Sequence, residues 1–217
     1  MNHAPLFIEA AVESIGGALA ADAEGVDRIE LCGSLHDGGV TPSAGLIRRA
    51  LASVSKRIHV FIRPRTGDFV YDHHDVAVML GDIYEAKTAG AAGVVFGALT
   101  ADGRIDREMM SALIAAARPM TVGFHRAFDQ VADQSTALET LVELGVVVIL
   151  TSGGAALALD GAPRLRQLVD QARGRIDIVA GGGITPANVA DLIERSAVRH
   201  VHGKAFAGLR AAVQRLE

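Results

Sequence analysis

The chain has one cysteine, no tryptophan and few other aromatic residues, which make up 4% of its 217 residues. The single cysteine, Cys32, cannot form an internal disulfide, so we expect a reducing compartment. A protein that stacks nucleic-acid bases needs aromatic side chains, and their scarcity argues against that class.

The chain also has no large excess of charge of either sign and no long apolar run. Lys and Arg number 21 against 25 Asp and Glu, and no basic tract stands out, which argues against a nucleic-acid partner. No apolar run reaches the roughly 18 residues of a membrane span, and the N-terminus does not resemble a signal peptide. We therefore expect a cytoplasmic protein with no membrane partner. The 50% hydrophobic content excludes a disordered chain, and the length favours one domain over residues 1–217.

Short β-branched or aromatic runs alternate with helical patterns along the whole chain. The predicted strands are Leu6–Ala11, Arg28–Cys32, His59–Arg63, Gly93–Gly97, Met120–His125, Val146–Thr151, Ile176–Gly181 and Arg199–Gly203. Between them, Val76, Met79, Leu80 and Ile83 follow helical spacing, and a short final helix is predicted over Phe206–Leu216. Eight such units predict a small (β/α)8 TIM barrel; the alternative is an open doubly wound sheet, which usually has fewer strands.

Alternation along the strands favours the barrel. If Glu9 faces the lumen, then Arg28, Glu30, His59, Arg63, His125 and His202 share its side, while the opposite side of these strands is almost wholly apolar. In a barrel, the carboxyl ends of the strands build the site. We therefore predict one site from Glu9, Glu30, Arg63, Arg65, His125 and Asp129, with Asp129 orienting His125 or Arg126. The alternative is a structural ion-pair network among Glu9, Glu30 and Arg63.

Several motifs follow the strand ends in a fixed order. They include Asp27-Arg-Ile-Glu-Leu-Cys32, Ile62-Arg-Pro-Arg-Thr-Gly-Asp-Phe69, Phe124-His-Arg-Ala-Phe-Asp129, Leu150-Thr-Ser-Gly153, Ala180-Gly-Gly-Gly-Ile184 and Val201-His202. In this order the chain closely resembles the CutC family, over roughly Phe7 to Ala205. The resemblance implies a TIM barrel, a cytosolic location, a homodimer and a place among copper homeostasis proteins. It departs from the family at Ala10 and Ala11 after the first Glu, at Gly203 and Lys204, and in its early end at Glu217.

The copper hypothesis has limited chemical support in the residues. Copper(I) prefers thiolate and thioether ligands, and this chain has one Cys and five Met without a cluster. Cys32 is the candidate copper(I) ligand, and the alternative is a small buried residue. A second possibility is a divalent ion held by Glu9, Glu30, His125 and His202, against the alternative that these are hydrogen-bonded lumen residues.

The residues favour an anion more strongly. Gly181, Gly182 and Gly183 follow the seventh strand, and Thr185 and Pro186 then resemble the N-cap and first residue of a helix. Backbone N–H groups at such a position attract phosphate, with Gly203, Lys204 and Ser152 nearby; the alternative is a plain glycine turn. Arg63, Arg65 and Arg126 follow strand ends and suit carboxylate or phosphate groups.

Three function classes remain open from the sequence. The first is an isomerase or lyase acting on a small anionic substrate, whether phosphorylated or not, with Glu30 or Glu9 as base and His125 as acid or electrophile. The second is a copper-handling protein, as the resemblance implies. The third is a barrel that only binds a ligand or partner. A Schiff-base aldolase would depend on Lys204, the one Lys near a strand end.

Overall fold

Eight parallel strands close into a barrel in chain order, as seen in a computed structural model that describes residues 6–214. The strands are β1 (Phe7–Val12), β2 (Arg28–Leu31), β3 (Arg57–Phe61), β4 (Gly93–Phe96), β5 (Thr121–Phe124), β6 (Val148–Thr151), β7 (Asp177–Gly181) and β8 (His200–Gly203). The last strand pairs with the first, so the sheet has no free edge. This confirms the predicted (β/α)8 barrel and excludes the open sheet.

Helices connect the strands on the outside of the barrel. They are α1 (Ile15–Ala23), α2 (Ala44–Leu51), α3 (His73–Ala89), α4 (Arg107–Ala117), α5 (Gln134–Glu143), α6 (Ala162–Ala172), α7 (Val189–Ser196) and α8 (Leu209–Gln214). The first five begin at a Ser or Asp side chain that accepts a backbone N–H of the first turn, namely Ser14, Ser43, Asp72, Asp106 and Asp133. Such caps stabilise a helix by about 1 kcal/mol each. No helix within residues 6–214 is both long and apolar enough to cross a membrane.

The strand register places the charged side chains together. Glu9 pairs with Arg28 of β2 on one side and with His202 of β8 on the other. Paired residues point to the same face of a sheet, so these three side chains meet in the lumen. Two apolar clusters separate from the strand–helix core fill other parts of the lumen: Cys32 with Phe61 and Val95, and Val148 with Leu150 and Val179.

Two predicted helix starts are wrong. The helix after β7 begins at Val189, not at Thr185 and Pro186, because Asn188 closes the preceding turn by accepting from Thr185 N and donating to Gly183 O. The final helix begins at Leu209, three residues after the predicted Phe206, since Gly208 has a positive φ of 75°. Its predicted end at Leu216 lies outside the described residues.

Candidate functional site

The barrel mouth holds a cavity of about 490 Å³ at the carboxyl ends of the strands. We divide its surroundings into three groups. The acid pair is Glu30 and the underlying Glu9, joined by His202; the histidine wall is His125 with Phe61 and Phe69; the arginine rim is Arg126 with the loop of Gly182 and Gly183. Of these residues, Glu9 alone does not line the cavity.

His202 joins the two carboxylates of the acid pair. Its Nδ1 lies 2.7 Å from Glu9 Oε1, and its Nε2 lies 3.6 Å from Glu30 Oε2. Glu9 Oε2 accepts a hydrogen bond from Arg28 Nε, so both Glu9 oxygens have partners. Glu30 Oε2 also accepts from Cys32 Sγ at 3.5 Å, whereas Glu30 Oε1 is buried and has no partner among the described residues.

These surroundings move the pKa values of the two carboxyls in opposite directions. Burial alone would raise the pKa of Glu9, but the hydrogen bond from His202 and the charge of Arg28 outweigh burial and lower it to about 2. Burial raises the pKa of Glu30 to about 7, because the charge of His202 only partly offsets it and the Glu9 carboxylate adds to it. Burial would lower the pKa of His202, but Glu30 and Glu9 together raise it. Near neutral pH, Glu9 is therefore ionised while Glu30 exchanges its proton.

The histidine wall is apolar on both sides of an almost fully buried imidazole. The His125 ring lies 5.2 Å from the Phe61 ring and 4.8 Å from the Phe69 ring, centroid to centroid. Its Nδ1 accepts a hydrogen bond from Ala127 N at 3.2 Å, and its Nε2 has no partner within residues 6–214. Burial, reinforced by the positive charge of Arg63, lowers the pKa of His125 to about 3, so the ring is neutral.

Asp129 positions the arginine rim. Its carboxylate accepts from Arg126 Nε at 2.8 Å, from Thr151 Oγ1 and from the backbone N–H groups of Ser152 and Gly154. Arg126 Nη2 then donates to Ser152 Oγ at 2.9 Å, and the guanidinium lines the cavity. Of the two roles predicted for Asp129, the structure therefore places it on Arg126 and not on His125.

The glycine loop after β7 lies beside this guanidinium. A Cβ on Gly182 would stand 3.5 Å from Arg126 Nη1, and a Cβ on Gly183 would clash with Leu157 at 2.6 Å. The exposed Leu157 side chain could move away, but the positive φ of 69° at Gly183 favours glycine there. Gly181 ends β7 and does not line the cavity. The backbone N–H of Thr185 is taken by Asn188, which leaves the loop with one donor fewer than predicted.

Other predicted site residues lie apart from the cavity. Arg63 is buried, donates to Gly39 O and Gly67 O, and packs over Phe69 with its guanidinium carbon 4.7 Å from the ring centroid. Arg65 pairs with Asp75 and Asp68. Both arginines thus hold loops around the mouth and do not line the cavity. Of the six residues predicted to form one site, two line the cavity, namely Glu30 and His125. The other four, Glu9, Arg63, Arg65 and Asp129, do not line it.

Lys204 lines the cavity, but its surroundings do not support the Schiff-base hypothesis. Its side chain is exposed, and its ammonium donates to Leu35 O at 2.7 Å. A Schiff-base lysine has to be desolvated to be neutral.

Arg28 and Phe69 have no role in the site predicted from the sequence. Strand alternation predicts that Arg28 faces the lumen. Its pairing with Glu9 depends on the register of β1 against β2, which the sequence of either strand alone does not indicate. Phe69 follows a loop outside any strand, and only the folded chain shows that it covers His125.

Comparison with known proteins agrees with this architecture. The model of the CutC family matches residues 6–207. The chain belongs to the CutC family. The human copper homeostasis protein cutC homolog is 48% identical over 196 residues, which is 90% of this chain and 72% of the human protein. The crystal structure of a Streptococcus agalactiae protein assigned as copper homeostasis protein CutC has a TM-score of 0.88 at 32% identity, covering 93% of this chain and 99% of that chain. An aldolase at 16% identity, with a TM-score of 0.72 over 99% of this chain and 97% of its own, shares the fold alone.

The names of these CutC relatives mention copper, but the donor set at the mouth does not fit copper(I). Cys32 is the one thiol of the chain, and burial together with Glu30 raises its pKa well above the ordinary value, which disfavours the thiolate. Glu9, Glu30 and His202 bring three ligand atoms within 4.8 Å of one another, and His125 is not part of this group. These are oxygen and imidazole ligands rather than soft ones, and Arg28 and His202 already occupy the Glu9 oxygens.

Proposed function

We propose that the mouth of this CutC-family barrel is the active site of an enzyme that moves a proton on a small anionic substrate, as isomerases and lyases do. The observation that carries this proposal is Glu30. It is a buried carboxyl at the cavity wall with a pKa of about 7 and one oxygen without a partner among the described residues. A carboxyl whose pKa lies near the working pH takes up and returns a proton equally well.

The neighbours of Glu30 support this role. Glu9 is ionised and tied to Arg28, so it holds His202 in place and favours the imidazolium form of that ring. When Glu30 loses its proton, the imidazolium at 3.6 Å stabilises the new carboxylate. Burying two carboxylates side by side is costly unless cations pair with them, and here Glu9 has a paired Arg whereas Glu30 has none among the described residues.

The anionic end of the substrate fits the arginine rim. Arg126 presents a guanidinium that Asp129 and Ser152 orient, and the Gly182–Gly183 loop lies against it without side chains. Arginine matches the planar or tetrahedral oxygens of carboxylate and phosphate groups. In this fold, the loops after the seventh and eighth strands commonly hold phosphate. This supports a substrate that carries a phosphate or carboxylate group.

The test is hydrogen exchange into the substrate. Wild-type protein in D₂O is incubated with hydroxyacetone phosphate and with dihydroxyacetone phosphate, and carbon-bound deuterium is measured by NMR. We expect exchange that rises as pH increases through about 7, where Glu30 ionises. Glu30→Gln should lose it by about 100-fold or more, and Arg126→Gln should bind inorganic phosphate more weakly.

Glu194→Gln, a matched change on the exposed side of α7, is the control and should exchange like wild type. If Glu30→Gln exchanges as fast as wild type, Glu30 is not the proton carrier and the proposal is wrong.

Copper handling is the second candidate function, because the curated relatives are named for copper homeostasis and Glu9, Glu30 and His202 form a cluster of ligand types. We expect weak copper(I) binding, since the donor set is poor in sulfur. Titration of wild type and Cys32→Ser with copper(I) in the presence of a strong chelator decides it: a tight stoichiometric site that depends on Cys32 would favour copper.

The family resemblance also supports a cytoplasmic homodimer. Light scattering of the purified full chain tests the oligomeric state.

A further inference from the structure

His125 offers a hydrogen-bond donor that nothing in the described chain accepts. The side chain is 1% exposed, it lines the cavity, and its Nε2 has no partner among residues 6–214. Buried polar atoms are nearly always paired, so an unpaired one on a residue that lines a cavity is a candidate contact for a ligand atom.

The local backbone fixes which ring nitrogen carries the proton. Ala127 N–H points at Nδ1 over 3.2 Å, so Nδ1 must be the acceptor. A neutral imidazole has one proton, which then sits on Nε2. The ring cannot easily rotate, because Phe61 and Phe69 flank it and Gly97 packs against it so closely that a Cβ there would lie 2.9 Å from two ring atoms. The protein therefore presents a fixed, neutral N–H donor.

We infer that this donor binds a carbonyl oxygen of the substrate, so that the mouth takes a small keto or hydroxycarbonyl compound with an anionic group. This inference rests on the proposed function and adds the chemical class of the substrate. A phosphate or carboxylate is better placed at Arg126, which carries a charge, whereas an uncharged N–H between two Phe rings suits an uncharged oxygen.

The donor and Glu30 together define one balanced step. The Glu30 carboxylate takes a proton from the carbon next to the carbonyl, so a C–H bond breaks and an O–H bond forms. The C–H electron pair becomes a C=C bond, and the carbonyl π electrons move to the oxygen, which carries the negative charge. His125 Nε2–H stabilises this oxygen without giving up its proton, since a neutral imidazole is a very weak acid. A neutral histidine polarises a carbonyl in this way in another barrel enzyme. Return of the proton from Glu30 reverses the step, and no oxidant or cofactor enters it.

The experiment measures the protonation state of the His125 ring and the chemical shift of the bound carbonyl carbon, both without catalysis. Glu30→Gln protein with ¹⁵N-labelled histidine is followed by ¹H–¹⁵N NMR from pH 5 to 8, and we expect His125 to stay neutral with its proton on Nε2 throughout. Carbonyl-labelled hydroxyacetone, which has no anionic group, and hydroxyacetone phosphate are then added. Bound carbonyl carbon should move downfield, because a donor withdraws electrons from it.

Two variants of His125 provide matched controls in the same Glu30→Gln background. In His125→Asn the shorter amide oxygen can still accept from Ala127 N, so the turn is kept while the distant donor is lost. In His125→Gln the longer amide still reaches toward the cavity with an N–H. We expect His125→Asn to bind both probes about tenfold more weakly, as the loss of one hydrogen bond implies, without the carbonyl shift, and His125→Gln to recover part of both.

The carbonyl assignment is overturned if His125 is charged or protonated on Nδ1 at pH 7, if His125→Asn shows the same carbonyl shift as its Glu30→Gln parent, or if neither carbonyl compound binds. Failure of the proposed function looks different: the carbonyl shift is present in Glu30→Gln, but wild-type protein exchanges no deuterium into the same probe.

Discussion

The two carboxylates of the acid pair are expected to respond in opposite ways to the same substitution. The pKa of Glu9 is lowered from 4.5 to about 2, and the pKa of Glu30 is raised from 4.5 to about 7. Each displacement corresponds to about 3 kcal/mol of unfolding free energy, at 1.36 kcal/mol per pKa unit. Glu9→Gln should therefore destabilise the protein at neutral pH, whereas Glu30→Gln should stabilise it there.

The pH windows follow from the direction of each pKa change. Between pH 4.5 and 7 the folded protein holds a proton on Glu30 that the unfolded chain has released, so stability falls as pH rises and the deficit is complete above pH 7. For Glu9 the folded chain is ionised first, so its stabilisation is full above pH 4.5 and is lost as pH falls toward 2. His202 loses a partner in Glu30→Gln, which offsets part of the gain. We therefore expect the unfolding free energy of Glu30→Gln, relative to wild type, to rise by about 2 kcal/mol from pH 4.5 to 8.5 instead of the full amount of about 3 kcal/mol.

Urea unfolding followed by circular dichroism at pH 4.5, 7 and 8.5 measures both variants, with Glu194→Gln as the control. Glu9→Gln leaves Arg28 buried without its partner, so at pH 7 we expect a loss of about 3–5 kcal/mol. Both pKa assignments predict a change: the one for Glu30 is wrong if the stability of Glu30→Gln relative to wild type does not rise with pH, and the one for Glu9 is wrong if Glu9→Gln is as stable as wild type.

Further predictions concern packing, copper and the arginine rim. Gly97→Ala should lose about 1–3 kcal/mol in urea unfolding, because the added methyl group meets the His125 ring at 2.9 Å; Gly81→Ala, in open space on α3, should gain up to about 1 kcal/mol. Cys32→Ser should leave copper(I) affinity unchanged in a competitive chelator titration, and a loss of more than tenfold would contradict the donor argument. Asp129→Asn should weaken phosphate binding, measured by calorimetry, while leaving the pH dependence of exchange unchanged; an altered pH profile would instead place Asp129 with the acid pair.

The fold could be predicted because its signals are local and repeated. Eight apolar runs alternate with helical patterns along the chain, and the alternation along β1, β2 and β8 separates a polar lumen from an apolar outer face. Helix starts were harder: Thr185 and Pro186 look like a helix start, but the side chain of Asn188 closes a competing turn and delays α7 to Val189.

The site could be predicted only as a set of candidates. Glu9, Glu30 and His202 were recognisable from strand parity, because parity decides which face a side chain takes. Parity does not decide height along the barrel axis or which neighbour a charge meets. Arg63 and Arg65 follow a strand end just as Arg126 does, yet they bind loop carbonyls and aspartates instead of facing the cavity.

Height in the barrel explains why two like residues acquire different chemistry. Glu9 lies in register with Arg28 and His202, which satisfy both of its oxygens, so it has no free atom to offer a ligand. Glu30 is two residues further toward the carboxyl end of β2 than Arg28, beyond the reach of a paired Arg and at the wall of the cavity. Glu9 is thus buried in a complete ion pair with Arg28 and contacts His202. Glu30 is buried without an Arg partner, and its pKa is raised to about 7. The same residue type can therefore have a pKa of about 2 at one position of the barrel and about 7 at another, because the strand register decides which partners each glutamate receives.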